Sequence, residues 1–350
     1  MDKIKQKVLH GERLSGAEAL TLAAEADLFD LGFLADAVRR RLHPEPVVTY
    51  VVDRNVNYTD ICISACKFCA FYKAPEDRNG RVLSFEELGQ KIRETQALGG
   101  TQILLQGGLH PDLPLTFYEE MLRFIKKNYG IHIHGFSPPE ICHFAKLADR
   151  PVAEVLTRLR RAGLDSIPGG GAEILVDRVR ALAAPRKCSA DEWIGVMAAA
   201  HDQGLRTTAT MMFGHIETMA ERLEHLSRIR DLQDRTGGFT AFIPWPFQPG
   251  NTALAHLPKA SAFSYLKMLA LARIFLDNVA NIQASWVTQG PKVAQISLSF
   301  GANDFGSTMI EENVVAAAGV SYRLSQGEIC NLVKEAGFEP RQRIMDYTLV

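Results

Sequence analysis

The chain has 350 residues, 47% of them hydrophobic and 23% charged, the profile of an ordinary globular protein rather than a disordered or membrane-embedded one. A formal net charge of −1 leaves no basic excess for nucleic acid, and the groups "VRRRL" (Arg39 to Arg41) and "RLRRAG" read as solvated helix faces. The opening residues "MDKIKQKVLHGERLSGAEAL" hold no apolar stretch of signal-peptide length, so a cytoplasmic protein with no membrane and no nucleic-acid partner is expected.

Residues 15–43 carry helical apolar spacing that begins at "SGAE", where Ser15 and Glu18 can satisfy free backbone donors as a capping box. This predicts a helical preface over 1–45. From about residue 47, segments rich in β-branched residues alternate with amphipathic stretches: "VVTYVV", "TQILLQ", "IHIHGF", "LDSI", "LRTTATMMF", "FTAFIP" and "IQASWV" read as strands. Helices are expected to start at the capping boxes "SADE", "TMAE" and "SQGE". The strands are mostly apolar, as in a parallel sheet covered on both faces. The predicted class is α/β, a (β/α)8 TIM-type barrel over 46–305, followed by a helical extension over 306–350 packed on it. Seven strands are clear; the eighth has to be short and near "SLSFGAND", with an open barrel as the alternative. The stretches "QGGLHPDLP", "SIPGGGAE" and "IPWPFQPGN" follow strands, at the rim where β/α barrels build their sites.

"CISACKFC" places Cys62, Cys66 and Cys69, half of the six cysteines, within eight residues. A helical stripe of buried thiols is the plain alternative, but the stretch follows an extended segment and Ser64 and Lys67 interrupt any apolar face. A structural zinc site would ask for four ligands, usually as two pairs, and no second pair appears. Three thiolates are one short of closing a four-iron cluster, which leaves one iron open for chemistry. Cys142, Cys188 and Cys330 lack ligand spacing and read as buried thiols.

The stretch resembles the Cys-x3-Cys-x-aromatic-Cys signature of radical S-adenosylmethionine enzymes, which are built on full or partial β/α barrels. The resemblance implies that Cys62, Cys66 and Cys69 hold a [4Fe–4S] cluster, that its open iron takes the amino and carboxylate groups of S-adenosylmethionine, and that Phe68 packs near the adenine. It extends to Gly107 and Gly108 of "QGGLHP", at the methionine amino group, and to Gly214 and Glu217 of "MMFGHIET", at the adenine. Glu173 of "PGGGAE" is a candidate for a ribose hydroxyl, with a helix-starting turn as the alternative.

"RNVNYTDICISACKFCAFYK", "PGGGAEIL", "AFIPWPFQPGNT" and "FGANDFGSTMIEENV" further resemble the futalosine and deazaflavin branch of that superfamily, over roughly residues 47–330. "CAFYK" and "FIPWPFQPGNT" are most similar to the futalosine-pathway cyclases of menaquinone biosynthesis. That implies a small-molecule substrate, dehypoxanthine futalosine, and a reductant as electron donor. Substrate candidates are His110, Glu140, Trp245, Gln248 and Asn303, with Phe247 beside Trp245 as aromatic wall. Asp304 and His215 are the candidates for proton removal. The alternatives are a sister enzyme of the same branch and a noncatalytic iron–sulfur or zinc protein.

Overall fold

The computed structural model describes residues 1–350. Its strands are β1 (Val47–Val51), β2 (Asp53–Asn57), β3 (Gln102–Gln106), β4 (His132–Gly135), β5 (Ser166–Ile167), β6 (Arg206–Phe213), β7 (Phe239–Pro246), β8 (Asn281–Ile282), β9 (Asp304–Ser307) and β10 (Glu339–Gln342). Strands β2 to β8 form a curled parallel sheet in sequence order, and β10, β1 and β9 form a second one. Every pairing is parallel, so each return across the sheet runs through a helix or a long crossover.

Only Val52 separates β1 from β2, which makes them one bent strand shared by both sheets. On one side β9 pairs with β1, Thr49 opposite Asp304. On the other it meets the end of β8: Asn303 N–H donates to the Ile282 carbonyl (3.1 Å) and Ala284 N–H to the Asp304 carbonyl (2.8 Å). Beyond β9, Thr308 and Ile310 donate to the carbonyls of Val51 and Asp53. These bonds bring the eighth strand between β8 and the β1–β2 strand and carry the sheet around into a barrel. It lies at "DFGS", starting at the last residue of the expected stretch, because "SLSF" is taken up by the helical segments Pro291–Ser297 and Leu298–Phe300.

"IQASWV" is the largest departure among the strands. Only Asn281–Ile282 is extended, and Trp286–Gln289 turns helical, the Trp286 indole N–H donating to the Ser307 carbonyl. The capping boxes at Ser15, Ser189, Thr218 and Ser325 all form. The preface is three helices, α1 (Asp2–His10), α2 (Gly16–Glu25) and α3 (Leu28–Leu42); Asp27 accepts the Asp30 N–H and starts α3 anew. One arginine expected on a solvated face is buried: Arg39 pairs with Asp36 at 2.9 Å and stacks over Phe338. Helix α3 packs on the helix Ala262–Phe275, and a single hydrophobic core runs from Val8 to Val333.

The last segment returns beneath the barrel. Helix Gln326–Glu335 leads into β10, which pairs with the first half of β1, Val47 opposite Glu339. Arg343 N–H then donates to the Tyr50 carbonyl. Strand β9 straddles residue 305, so barrel and extension share a strand rather than meeting at a boundary. No helix is long and apolar enough to cross a membrane.

Candidate active site

The cysteine loop leaves the C-terminal end of β2 and is pinned by backbone bonds: Ile63 N–H to the Leu109 carbonyl, Cys62 N–H to Lys73, and Lys67 N–H to Ala183. Ala65 holds a left-handed conformation (φ 45°) between the first two cysteines, a strained state that the surrounding bonds must impose. The glycine pair after β3 makes the approach possible. A side chain on Gly108 would run into the Ile61 carbonyl and Cys62, and one on Gly107 into the Tyr58 ring. Both glycines therefore seat the cysteine loop itself.

All six cysteines are free thiols. Burial raises the Cys66 and Cys69 pKa values, and the Lys187 ammonium opposes that rise at both. No three Cys, His, Asp or Glu side chains converge on a point that one metal ion could fill. A cation beside buried thiols favours the deprotonated ligands that iron requires. The residues fit the cluster.

Lys187, invisible to motif reasoning, joins the site together. Its ammonium donates to Glu173 Oε1 (3.0 Å), lies 5.1 Å from the Phe68 ring centre and acts on Cys66. Glu173 sits at φ 41° and is buried. Its Oε2 has Arg180 no nearer than 3.6 Å and accepts no hydrogen bond. A buried acceptor left open beside the thiols is a fit for a ligand hydroxyl. Phe68 packs against Met212, Phe247 and Leu254.

Beneath this loop the barrel encloses a cavity of about 280 Å³, lined from nearly every strand. Trp245 and Trp286 supply aromatic wall; Asp53, Asn55, Gln102, Gln106, His134 and Gln283 supply polar groups; Glu312 and Arg343 come from the segment after β9. Asp53 accepts from Gln102 Nε2 (2.7 Å) and from the Ser307 hydroxyl, and burial raises its pKa. Gln102 Oε1 is buried without a partner.

Several expected contacts are committed elsewhere. Asp304 is fully buried, bonded by Arg343 (2.5 and 3.1 Å), Thr49 (2.5 Å) and the Gly306 N–H; it anchors the C-terminal segment and is outside the cavity lining. Asn303 joins Arg273, Asn281 and the Ile282 N–H. The His215 side chain is closed off against Glu217 and the Phe247 ring, Nε2 on the Met212 carbonyl. Glu217 in turn accepts the Gly214 and His215 N–H groups and Arg222, holding a turn that Gly214 enters at φ 89°. Glu140 accepts from Tyr58, the Gly107 N–H and twice from Ser137. His110 caps its own loop through the Asp112 N–H. Gln248 is buried with Nε2 on the Pro246 carbonyl, away from the lining. Most of these polar groups are held by their own scaffold, but His215 Nδ1 and Gln248 Oε1 are buried without a hydrogen-bond partner.

Residues 56–229 match the radical SAM superfamily, and residues 236–350 match the CofH/MqnC C-terminal region. The chain is 46% identical to cyclic dehypoxanthine futalosine synthase of Halalkalibacterium halodurans, covering 100% of this chain and 95% of that one. It is 47% identical to the Streptomyces coelicolor protein of that name, covering 99% and 88%. An Archaeoglobus fulgidus relative, 5-amino-6-(D-ribitylamino)uracil–L-tyrosine 4-hydroxyphenyl transferase, is 45% identical over 91% of this chain and 92% of its own. Among solved structures the fold is similar to methylornithine synthase, with a TM-score of 0.73, 19% identity and coverage of 96% and 97%. It is also similar to the FeFe-hydrogenase maturase HydG of Carboxydothermus hydrogenoformans, with a TM-score of 0.78, 19% identity and coverage of 99% and 80%.

Proposed function

We propose that this chain, which belongs to the radical SAM superfamily of [4Fe–4S] enzymes that use S-adenosylmethionine, cyclises dehypoxanthine futalosine in menaquinone biosynthesis. The observation that carries the reading is the 46–47% identity, over essentially the whole chain, to two proteins named for that product. When bound, the cluster and S-adenosylmethionine would supply a 5′-deoxyadenosyl radical, the hydrogen-atom acceptor that cyclisation from the substrate's sugar-derived C4′ onto its own benzoate ring requires.

The protein's share is positioning and exclusion of water. Cys62, Cys66 and Cys69 hold the cluster, Lys187 balances its thiolates, and Phe68 with the free acceptor of Glu173 offers the adenosyl group a stacking face and a hydroxyl partner. The cavity below holds the substrate between Trp245 and Trp286, where a radical finds its own ring before water or a second molecule. Asp53, Asn55 and the glutamines can take the sugar hydroxyls. An external one-electron reductant is the required partner.

The test is an anaerobic incubation of reconstituted, reduced protein with S-adenosylmethionine and dehypoxanthine futalosine, read by mass spectrometry. The expected result is 5′-deoxyadenosine together with a substrate-derived species two hydrogens lighter, both lost in Cys66→Ala. A second reading, transfer of a tyrosine-derived hydroxyphenyl group to a ribitylaminouracil, is favoured by the 45% identity to that transferase. Product from tyrosine and ribitylaminouracil, with futalosine untouched, would establish it instead.

A further inference from the structure

The strand "HIH" places two imidazoles on the same side of β4, two residues apart. His134 is buried and lines the cavity. Its Nδ1 lies 2.8 Å from the Ser166 hydroxyl on β5, and the same hydroxyl lies 2.8 Å from His132 Nε2. Ser166 is itself buried, whereas His132 is partly exposed at the N-terminal end of the strand, within electrostatic reach of Asp165 and Asp346. A continuous hydrogen-bonded path therefore runs from the cavity through the barrel wall to the face opposite the cysteine loop.

We propose that His134 is the proton acceptor of the reaction and that Ser166 and His132 pass the proton out through the floor of the barrel. The inference rests on the cyclase reading above. After ring attack, the C–H bond at the attacked ring carbon breaks. Its proton goes to His134 Nε2, and one electron leaves to a one-electron acceptor of the iron–sulfur or flavin class, so the ring regains its sextet. Concertedly, His134 Nδ1–H passes to Ser166 and the serine proton to His132 Nε2. His134 ends neutral with its proton on the other nitrogen, and His132 carries the charge.

This division suits the surroundings. Burial and the neighbouring His132 and Arg343 charges hold His134 well below the usual imidazole range, so a lasting imidazolium there is disfavoured. His132 is also lowered by burial and by Lys126, but Asp165 and Asp346 oppose that. The two carboxylates that line the cavity are already engaged, Asp53 by Gln102 and Ser307 and Glu312 by the N–H groups of Val314, Val315 and Ala316.

The test compares wild type with Ser166→Ala, His132→Asn and His134→Ala, each matched for melting temperature and iron content, in single turnovers with dehypoxanthine futalosine. The expected result is at least a tenfold fall in cyclised product per 5′-deoxyadenosine in all three. Millimolar imidazole restores product in His134→Ala and not in Ser166→Ala. Solvent deuterium should slow product formation in wild type and lose that effect in Ser166→Ala. An unchanged product ratio and isotope effect in whichever of Ser166→Ala and His132→Asn folds would overturn the relay, as would failure of imidazole to rescue. If wild type makes 5′-deoxyadenosine but leaves the futalosine compound uncyclised, the cyclase reading fails first and the relay is withdrawn with it.

Discussion

Lys187 and Glu140 do opposite things with one charge each. Lys187 turns its cation toward the cysteine loop: it faces Glu173 and the Phe68 ring and acts on the thiols of Cys66 and Cys69. Lys187→Met should raise the KM for S-adenosylmethionine roughly tenfold while iron content changes little, checked by cleavage kinetics alongside iron analysis. Glu140 spends its charge on scaffold, collecting four donors in a buried pocket that pushes its pKa up. In Glu140→Gln one accepting oxygen becomes an NH2 group that faces two donors from which it cannot accept, at a cost of about 1–3 kcal/mol. Because Gly107 is one of those donors and its neighbour Gly108 seats Cys62, the variant should melt several degrees lower and lose iron faster to a chelator.

At the scale of elements, the segment after β9 contributes as much to the cavity as a barrel strand. Arg343 follows β10, closes the floor and meets Asp304 with both buried. Arg343→Ala should destabilise the fold by about 3–5 kcal/mol, since it strands a buried carboxylate; Arg343→Ala combined with Asp304→Asn should recover part of the loss in a denaturation series. The legibility of the sequence follows the same division. That Cys62, Cys66 and Cys69 share one loop, with Gly108 close against it, was legible because this geometry is local, set by spacing and by a turn. Asp304 looked available because its side-chain partners are not local: Thr49 is 255 residues away and Arg343 39; His215 bonds within its own turn, to Met212, but is shut in by Phe247, which spacing does not reveal. His134 escaped notice for a different reason. In a strand covered on both faces, alternation does not say which side is the inside.

Across the whole molecule, buried imidazoles make the fold sensitive to acid. His225 is held down to about 3 and His201 to about 4, with burial the leading cause, and His134 is well below its usual range. His225 Nδ1 accepts the Leu175 N–H, which only an unprotonated nitrogen can do. The unfolded chain binds protons near pH 6.5 that the folded one refuses, so the stability is fully present above that pH and falls as pH drops through the window toward 3 to 4. Each such group removes about 1.4 kcal/mol per pH unit inside its window. Thermal melts of the metal-free protein should therefore drop steeply below pH 6, and His225→Gln should flatten the slope. The placement of β9 and β10 also governs how the molecule comes into being. During synthesis the β1–β2 strand and the end of β8 keep open edges until residues 304–342 have emerged, some 250 residues after β1. Such distant pairing is slow and leaves adhesive edges exposed meanwhile, so the nascent protein passes through a long interval in which its cysteine loop is already made but the strands and the arginine that close the cavity beneath it are not.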